Sequence, residues 1–480
     1  MSLPADCYES WRQACAPRNR LREADTEETP TEQLLQQIWR HQRLNRGRLR
    51  LTDGRTVIVL HPGFGNREAG PDFRRALLRL GGGTPVSGDV EVDLRADGWT
   101  QHGHAGNPAF SGVRLHVVWS PPARTVSDLP TLALRDQLDA PLETLAEELS
   151  GVVPDQLPAG QEGACAARFA ALTETQRAGL LEQAALVRLR VKAGRWEARA
   201  RQAGWEAALW EALFTALGYK HNVWPMRRLA ELLPRLRPEK PDPLAWQARL
   251  LGVAGLLPRE LSRRRAETDL WLRTAWDHWW REQAALADVT LPPRAWRLAG
   301  VRPANHPQRR LALAAHWLCR PDLPAALEAW LWADLPANRW VATLHRCLQP
   351  EPDPFWEHHW NLRATPLPQP CALLGPARVT DLALNAVLPW LWSRARAGMN
   401  AAARRRVEER CRAWPAAQDN AVLRLARQRL LAGVALPRPR RAAHQQGLLQ
   451  WVADFCQTRD ARCTGCPLPV RLAALERRPK

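Results

Sequence analysis

The chain has 480 residues, of which 45% are hydrophobic and 24% are charged, and its formal net charge is +19. This length is enough for two or three packed domains, and the composition excludes a disordered, a collagenous or a small disulfide-stapled protein. The apolar runs are shorter than the ~20 residues that a membrane span needs. No basic segment with an apolar run behind it opens the sequence. A cytoplasmic protein that does not enter a membrane is therefore predicted.

Arginine carries almost all of the positive charge, because lysine occurs at only four positions. A positive field raises the affinity of a protein for phosphate backbones. We therefore expect DNA or RNA as a partner, although GC-rich coding would explain the arginine excess equally well. The composition predicts nothing about the oligomeric state.

The first predicted elements are a helix and several strands. Thr29, with Pro30 behind it and Glu32 three residues on, predicts the N-cap of an amphipathic helix. A turn at Asp53-Gly54 between two apolar runs predicts a β-hairpin. Further strands are expected over residues 74–80, 87–94 and 113–119. This part of the chain is predicted to be a helix followed by a mostly meandering sheet.

Strand signals end near residue 160. Thr173 and Gln176 form a capping box for a long helix, and helical segments separated by Pro-rich breaks continue to the C-terminus. The tryptophans of this half recur at helical spacing, which favours core packing over base stacking. We predict an α+β chain with four regions: an irregular lead-in over residues 1–28, an α/β domain over 29–150, a large all-α domain over 160–440, and a helix with a cysteine loop over 441–480.

A strand rich in acidic residues gives the strongest functional signal. Because strand side chains alternate between faces, four polar residues are expected on one face: Asp89, Glu91, Asp93 and Arg95. A polar face in water is the ordinary explanation of such a column. Asp72 changes this interpretation, because one β-hairpin can bring it beside Glu91. Paired carboxylates form the oxygen-rich pocket that Mg²⁺ or Mn²⁺ prefers.

The motifs Pro71-Asp72 and Glu91-Val92-Asp93 resemble those of the PD-(D/E)XK, or restriction-endonuclease-like, nuclease fold. In that fold a helix precedes a meandering sheet. An Asp at a bent strand and a Glu/Asp-X-Lys on the next strand hold the metal. The resemblance implies a Mg²⁺-dependent nuclease with Asp72 and Glu91 as metal ligands. Glu32 falls where such nucleases often place a further acid, although its capping role explains it equally well.

Asp93 stands where that fold has its lysine. The lysine orients or activates the attacking water and stabilises negative charge in the transition state, which a carboxylate cannot do. Arg95, His104 or His116 could take its place. His102 and His104 also have the spacing of metal ligands, although histidines in a Gly-rich turn are more often surface residues. The missing lysine leaves an inactive, binding-only protein as the alternative.

Three clustered cysteines lie near the C-terminus: Cys456, Cys463 and Cys466. Thiolates at this spacing suit Zn²⁺ or an iron–sulfur cluster. The spacing is similar to that of the 4Fe-4S loop in the endonuclease III and MutY type of DNA glycosylases, whose fourth cysteine would fall at Leu472. We expect a closed site in which Cys411 or His444 is the fourth ligand. The spacing slightly favours iron–sulfur.

A basic stripe is predicted on one helix face: Arg188, Lys192, Arg195 and Arg199. Spacings of three and four residues place side chains on one side of a helix. A solvated face is the usual explanation of such a stripe, and the backbone of a nucleic-acid duplex is the functional one.

Short motifs recur along residues 30–470: Gly65-Asn66, Gly70-Pro71-Asp72-Phe73, Gly88-Asp89-Val90-Glu91-Val92, Trp99, His102-Gly103-His104, Leu115-His116-Val117-Val118, Arg302-Pro303-Ala304-Asn305-His306-Pro307, Arg309-Arg310-Leu311-Ala312, Asp381, Asn385, Leu388-Pro389, and Gln446-Gly447 with the cysteine cluster. Together they resemble a bacterial family catalogued as domain of unknown function 2851. Typical members carry His where this chain has Asp93, so the resemblance implies a Glu-X-His form of the nuclease motif. It supports the domain layout and implies no activity.

The sequence therefore predicts a metal-dependent nuclease, or a nuclease-like DNA-processing protein, that acts on nucleic-acid phosphodiesters. The helical half would bind the nucleic acid, and a metal cluster would hold its C-terminal end. The alternative is a non-catalytic nucleic-acid-binding or scaffold protein on the same fold. A third interpretation is an iron–sulfur redox protein.

Overall fold

The computed structural model describes most of the chain and covers these residues: 4, 6–15, 29–66, 70–101, 104, 107–122, 128–149, 163–219, 221–261, 269–419, 421–432, 440–456, 463 and 466–476. The chain divides into two compact units, Met1–Ala198 with Arg404–Lys480, and Arg199–Ala403. The division differs from the predicted boundaries near residues 160 and 440. The reason is that both ends of the helical region belong to the unit that contains the sheet.

The described strands are β1 (Val57–His61), β2 (Phe64–Gly65), β3 (Phe73–Leu80), β4 (Val86–Val92), β5 (Val113–Val118) and β6 (Thr131–Ala133). The described helices are α1 (Cys7–Cys15), α2 (Glu32–His41), α3 (Gly98–Gln101), α4 (Leu142–Leu149), α5 (Ala166–Ala171), α6 (Glu174–Ala203), α7 (Trp205–Leu217), α8 (Val223–Leu236), α9 (Pro243–Val253), α10 (Leu270–Glu282), α11 (Pro307–Leu318), α12 (Leu323–Trp332), α13 (Trp340–Leu348), α14 (Pro376–Leu382), α15 (Leu388–Ala397), α16 (Ala401–Ala413), α17 (Ala421–Leu431), α18 (Ala442–Phe455) and α19 (Leu468–Glu476). The predicted α+β class is confirmed, with a sheet near the N-terminus and a helical region after it. None of these helices combines the length and the apolar character of a membrane span.

The sheet has the strand order β1-β3-β4-β5-β6, and β2 also pairs with β3. Pairing is antiparallel up to β4 and parallel from β4 to β5 and from β5 to β6. The predicted meander is therefore right only for the first strands, because residues 93–112 carry the chain back to the start of a parallel strand. The first arm of the predicted hairpin forms only an isolated bridge between Arg50 and Thr56. The sequence does not predict β6, since three residues are too few for an alternation signal.

Helix α2 contributes its apolar face to the core that it shares with the sheet. Leu35, Ile38 and Trp39 are buried in one cluster with side chains of β4 and β5. The helix begins at Glu32, and its N-cap is Thr31, whose side chain accepts a hydrogen bond from the Leu34 amide at 3.2 Å. The predicted N-cap at Thr29 is therefore two residues early. The sequence Thr-Pro-Thr offers two candidate caps, and the proline precedes the helix instead of opening it.

The predicted irregular lead-in over residues 1–28 is wrong where the structure describes a helix, α1. Tyr8 and Trp11 are buried in a core with Trp451 and Phe455. The Tyr8 hydroxyl donates to the Asp454 carboxylate at 2.7 Å. The signal was present, because Cys7, Tyr8, Trp11 and Cys15 repeat at helical spacing, but the polar residues around them obscured it. Residues 16–28 lie outside the described residues.

In the second unit the buried tryptophans are core residues, as the sequence predicted. Trp317, Trp356 and Trp390 have no exposed surface. The indole N–H of Trp317 donates to the Leu348 carbonyl at 2.7 Å, so a buried polar group has its partner.

Two of the family-like motifs of the second unit carry interacting side chains. Arg310 donates to the Asn305 side-chain oxygen at 2.9 Å, and Arg378 donates to Asp381 at 2.8 Å. The Arg378 guanidinium lies 3.5 Å from the centre of the Tyr219 ring, a cation–π contact. A π-helical segment, Ala383–Val387, follows and joins α14 to α15. The Arg378 side chain thus connects α14 to Tyr219, which lies just after α7.

Candidate functional site

The register of the sheet brings Asp72 and Glu91 together. Phe73 pairs with Val90 across the antiparallel strands β3 and β4, so the preceding Asp72 lies opposite Glu91. The Asp72 amide donates to Glu91 Oε2 at 3.1 Å, and the Val92 amide donates to Asp72 Oδ2 at 3.1 Å. Each carboxylate is thus fixed by a backbone N–H of the other segment. The two acids share the corner where β3 begins and β4 ends.

A β-bulge in β3 produces this corner. The pairing shifts between Phe73 and Ala76, and Arg75 within the shift has a positive φ of 57°. The Arg75 amide donates to Asp89 Oδ1 at 2.9 Å. Bulges bend a strand and change the direction of its side chains, and they are common beside active sites. Asp89, which was predicted to share the face of Glu91, instead holds the bulge.

Asp93 is held by a buried histidine. In the parallel pairing of β4 and β5, Glu91 lies opposite His116. Nε2 of His116 lies 2.9 Å from Asp93 Oδ2, and both residues are buried. A Cβ atom on Gly98 would lie 2.9 Å from Oδ1 of Asp93, so glycine leaves room for this carboxylate. Asp93 therefore has a fixed position next to the two acids.

His104 completes the cluster from the segment between α3 and β5. Its Nε2 lies 3.3 Å from Glu91 Oε1. The ring stacks on Phe110 with 3.9 Å between ring centres and meets the Trp99 ring at 5.5 Å. One ligand atom from each of Glu91, Asp93 and His104 lies within 4.8 Å of the other two. An aromatic wall thus presents an imidazole nitrogen to two carboxylates.

Asp72 and Glu91 have raised pKa values. Burial raises the pKa of Glu91 to about 8, and the charge of Asp72 adds to the effect. Burial also raises the pKa of Asp72 to about 6, with the charges of Glu32 and Asp93 contributing and the hydrogen bond from the Val92 amide opposing the shift. Negative charges that are buried close together repel, and a shared cation relieves that repulsion.

Helix α2 supplies a further residue that sequence reasoning missed. The Gln36 side chain donates to Asp72 Oδ1 at 3.0 Å and to Glu32 Oε1 at 3.3 Å. Glu32 and Gln36 are four residues apart and therefore share a helix face, which is the signal that could have identified Gln36.

The structure does not bring every predicted residue to this cluster. Arg95 is exposed and lies in a bend beyond the end of β4, because the strand stops at Val92 and the alternation stops with it. His102 lies outside the described residues. His104 and His116 both reach the acids, as the previous distances show.

The basic stripe on α6 is not an exposed face. Arg188 and Lys192 both donate to the Gln446 side-chain oxygen at 3.0 Å. Arg195 lies 3.5 Å from His41, and Arg199 forms an ion pair with Glu211 at 2.7 Å. Burial lowers the pKa of Arg188 to about 10. These cations therefore bind groups of the chain itself, and helical spacing alone could not distinguish that from a solvated or nucleic-acid-binding face.

The three C-terminal cysteines line one cavity, and a fourth cysteine from a distant part of the chain lines it as well. Its lining includes the three predicted cysteines together with Cys165. The residues expected as fourth ligand lie elsewhere. Cys411 is buried, with its pKa raised to about 11 by burial against the opposing charge of Lys192. Nε2 of His444 lies 3.8 Å from Glu182. Cys165, and neither of these two residues, lines the cavity together with the three C-terminal cysteines.

The first unit thus combines a mixed sheet with a cluster of acids and histidines that could hold a divalent cation. The chain belongs to the family described as "Protein of unknown function (DUF2851)", which matches residues 32–420. The cysteine loop lies beyond the matched residues, although the sequence resemblance had included it. No curated protein and no solved structure matches the chain significantly.

Proposed function

We propose that the first unit is a divalent-metal-dependent phosphodiesterase that acts on nucleic acid. The observation that carries the proposal is the convergence of Asp72, Glu91, Asp93 and His104 at one corner of the sheet. The corner lies where a bulged strand meets the acidic strand, as the resemblance to PD-(D/E)XK nucleases leads one to expect. The net charge of +19 favours a polyanionic substrate such as DNA or RNA.

The donor set fits a hard divalent cation. Asp72 and Glu91 would hold Mg²⁺ or Mn²⁺ through carboxylate oxygens, with Asp93 beside them. Gln36 orients Asp72, and His116 orients Asp93, so the oxygens are held in position before any cation arrives. Burial, with repulsion between the acids added to it, raises the pKa values of Asp72 and Glu91, and a bound cation would relieve this unfavourable placement of charge.

A bound cation would polarise a phosphoryl oxygen and lower the pKa of the attacking water. His104 is the group that we assign to accept the proton of that water, in place of the lysine that the chain lacks. Its Nε2 lies 3.3 Å from Glu91, within the cluster that would hold the metal. The rings of Trp99 and Phe110 fix the imidazole plane and limit the access of bulk water. Asp93 contributes negative charge for the cation and is held by His116.

Hydrolysis of DNA and RNA by the full chain with Mg²⁺ or Mn²⁺ tests the proposal. Glu91→Gln should lower the rate by roughly 10²–10³-fold, because it removes a metal-binding charge and keeps the side-chain shape. His104→Gln should lower kcat by about 10²-fold. Because the imidazole also lies within reach of the cation, the divalent-ion affinity of the same variant shows whether His104 acts as the base or as a metal ligand. Asp97→Asn is the matched control, since Asp97 lies on the same segment and bonds Gln101. Metal-dependent hydrolysis that survives Glu91→Gln unchanged would exclude this site.

Gly98→Ala gives a second prediction about the same corner. The added methyl group would lie 2.9 Å from the Asp93 carboxylate and displace it, so divalent-ion affinity should fall by about tenfold. Titration calorimetry with Mn²⁺ measures the change. Gly47→Ala is the control, because a Cβ atom there meets nothing within 4 Å. Equal affinities for both variants would show that the position of Asp93 does not matter to the cation.

One observation favours the alternative of a nucleic-acid-binding or scaffold protein without activity. Asp93 occupies the position of the lysine, and its buried contact with His116 has a structural explanation of its own. A protein of this kind would bind DNA or RNA with divalent metal and leave the phosphodiesters intact. The same assay distinguishes the two functions.

A further inference from the structure

Four cysteines from three segments of the first unit line one cavity. Cys165 immediately precedes α5, Cys456 immediately follows α18, and Cys463 and Cys466 precede α19. Almost three hundred residues separate Cys165 from the other three, so no local motif contains it. The fold alone brings the four thiols to one place.

Backbone contacts fix this convergence. The Gly163 amide donates to the Arg429 carbonyl at 2.8 Å, and a Cβ atom at Gly163 would lie 2.8 Å from that same oxygen. This close approach ties the segment of Cys165 to α17. The Cys466 amide donates to the Cys463 carbonyl at 3.1 Å, so the backbones of these two cysteines are in direct contact. Cys463 has a positive φ of 57°, a conformation that non-glycine residues seldom adopt.

Arg429 places a positive charge beside the sulfurs. It is buried, and its Nη2 donates to Cys463 Sγ at 3.2 Å. Four thiolates around a metal carry excess negative charge, which a buried guanidinium offsets. Phe455 and Leu468 close the apolar side of the cavity. Hydrogen bonds to the sulfurs and the exclusion of solvent are features by which a protein tunes a thiolate-bound cluster.

We propose that Cys165, Cys456, Cys463 and Cys466 together bind an iron–sulfur cluster. The four ligands meet the four-thiolate requirement of 4Fe-4S and 2Fe-2S centres. The spacing of the sulfurs favours a cluster over a single ion. Zinc bound by bonds of about 2.3 Å would draw its sulfurs to within about 4 Å of one another. Among the described residues, no three of these sulfurs lie within 4.8 Å of one another.

The proposal is independent of the acidic corner and of its function. The ligands belong to α5, α18, α19 and their flanking residues, which share one hydrophobic core with α1. Metal loading should therefore be coupled to the stability of this core, because ligands from distant segments are brought together only in the folded state.

Metal analysis of the full chain, purified without oxygen, tests the site. The wild-type protein should contain several iron atoms with matching acid-labile sulfide and should show a visible absorbance that dithionite bleaches. Cys165→Ser should lose at least half of the iron, whereas Cys411→Ser should keep the wild-type content. Both side chains are buried cysteines of the first unit, so the pair separates ligand loss from loss of a buried thiol.

If Cys165→Ser fails to fold, X-ray absorption at the iron edge of the wild-type protein still identifies the ligand atoms. An all-sulfur first shell with iron–iron scattering is expected. A nitrogen ligand would overturn the four-cysteine assignment, and so would equal iron in Cys165→Ser and the wild type. One equivalent of zinc without iron or sulfide would overturn the cluster. Absence of both metals from protein purified in this way would overturn the site itself.

Discussion

Raising the pH from about 4 to about 9 without divalent metal should lower the free energy of unfolding of the sheet region, and Mg²⁺ or Mn²⁺ should restore it. The pKa of Glu91 is raised from 4.5 to about 8 and that of Asp72 from 3.8 to about 6. The folded state therefore holds these protons more tightly than the unfolded state does. The stabilisation is fully present below the ordinary pKa values and is lost as the pH rises through the raised ones.

The loss at alkaline pH should be at most about 8 kcal/mol, because the two pKa differences together are about 6 and each unit corresponds to about 1.4 kcal/mol. Burial is the largest cause of both shifts, and repulsion between the acids adds to it. A divalent cation binds only the ionised folded site, so its stabilising effect should grow with pH over the same interval.

Glu91→Gln separates this effect from ordinary alkaline destabilisation. The variant carries no charge at position 91, so it should be more stable than the wild type above about pH 8 without metal and should gain little from Mn²⁺. Amide hydrogen exchange in β3 and β4 reports the stability of this region apart from the second unit. Asp97→Asn should follow the wild-type curve. A flat pH dependence in the metal-free wild type would mean that the two acids are not buried together.

The sequence predicted the acidic corner because its signals are local. Asp72 lies directly before β3, one hairpin away from Glu91, and residues 89–92 alternate clearly, so antiparallel pairing brings the two acids together. The bulge was not predictable in the same way. Arg75 adopts its left-handed conformation because the Asp89 carboxylate binds its amide, and such a contact has no periodic signature.

The position of Cys165 and the surroundings of the α6 arginines depend on long-range contacts, which the sequence does not show. Cys165 joins Cys456 through the tertiary fold, and no spacing rule links residues so far apart. The arginines of α6 repeat at helical spacing whether they face solvent, nucleic acid or a neighbouring helix. The tertiary contact with Gln446, which binds Arg188 and Lys192, turns these two side chains towards a neighbouring helix. Composition favours a basic surface, but only packing shows which cations remain at it.

Arg43→Met should be among the most destabilising single substitutions in the first unit, costing about 3–5 kcal/mol. Arg43 is buried and bonds both oxygens of Asp139, at 3.0 and 2.9 Å, while its Nη1 pairs with Glu148. Methionine fills similar volume and leaves both carboxylates without their cation. A Cβ atom on Gly194 would collide with the Glu148 carboxylate, so this acid has little room to move towards α6.

The pH dependence of that loss identifies its cause. Without Arg43 the carboxylates of Asp139 and Glu148 should have raised pKa values, so the destabilisation should shrink in acid, where both can be protonated, and grow towards neutral pH. Adding Asp139→Asn and Glu148→Gln should recover much of the stability, because no buried charge then lacks a partner.

Arg55→Met is the matched control. Its ion pair with Asp53 leaves half of the Arg55 side chain exposed, so its loss should change the stability far less than Arg43→Met does. Chemical unfolding of the four proteins at acidic and neutral pH measures these differences. A loss for Arg43→Met that is small, or that does not change with pH, would show that packing and not charge makes Arg43 important.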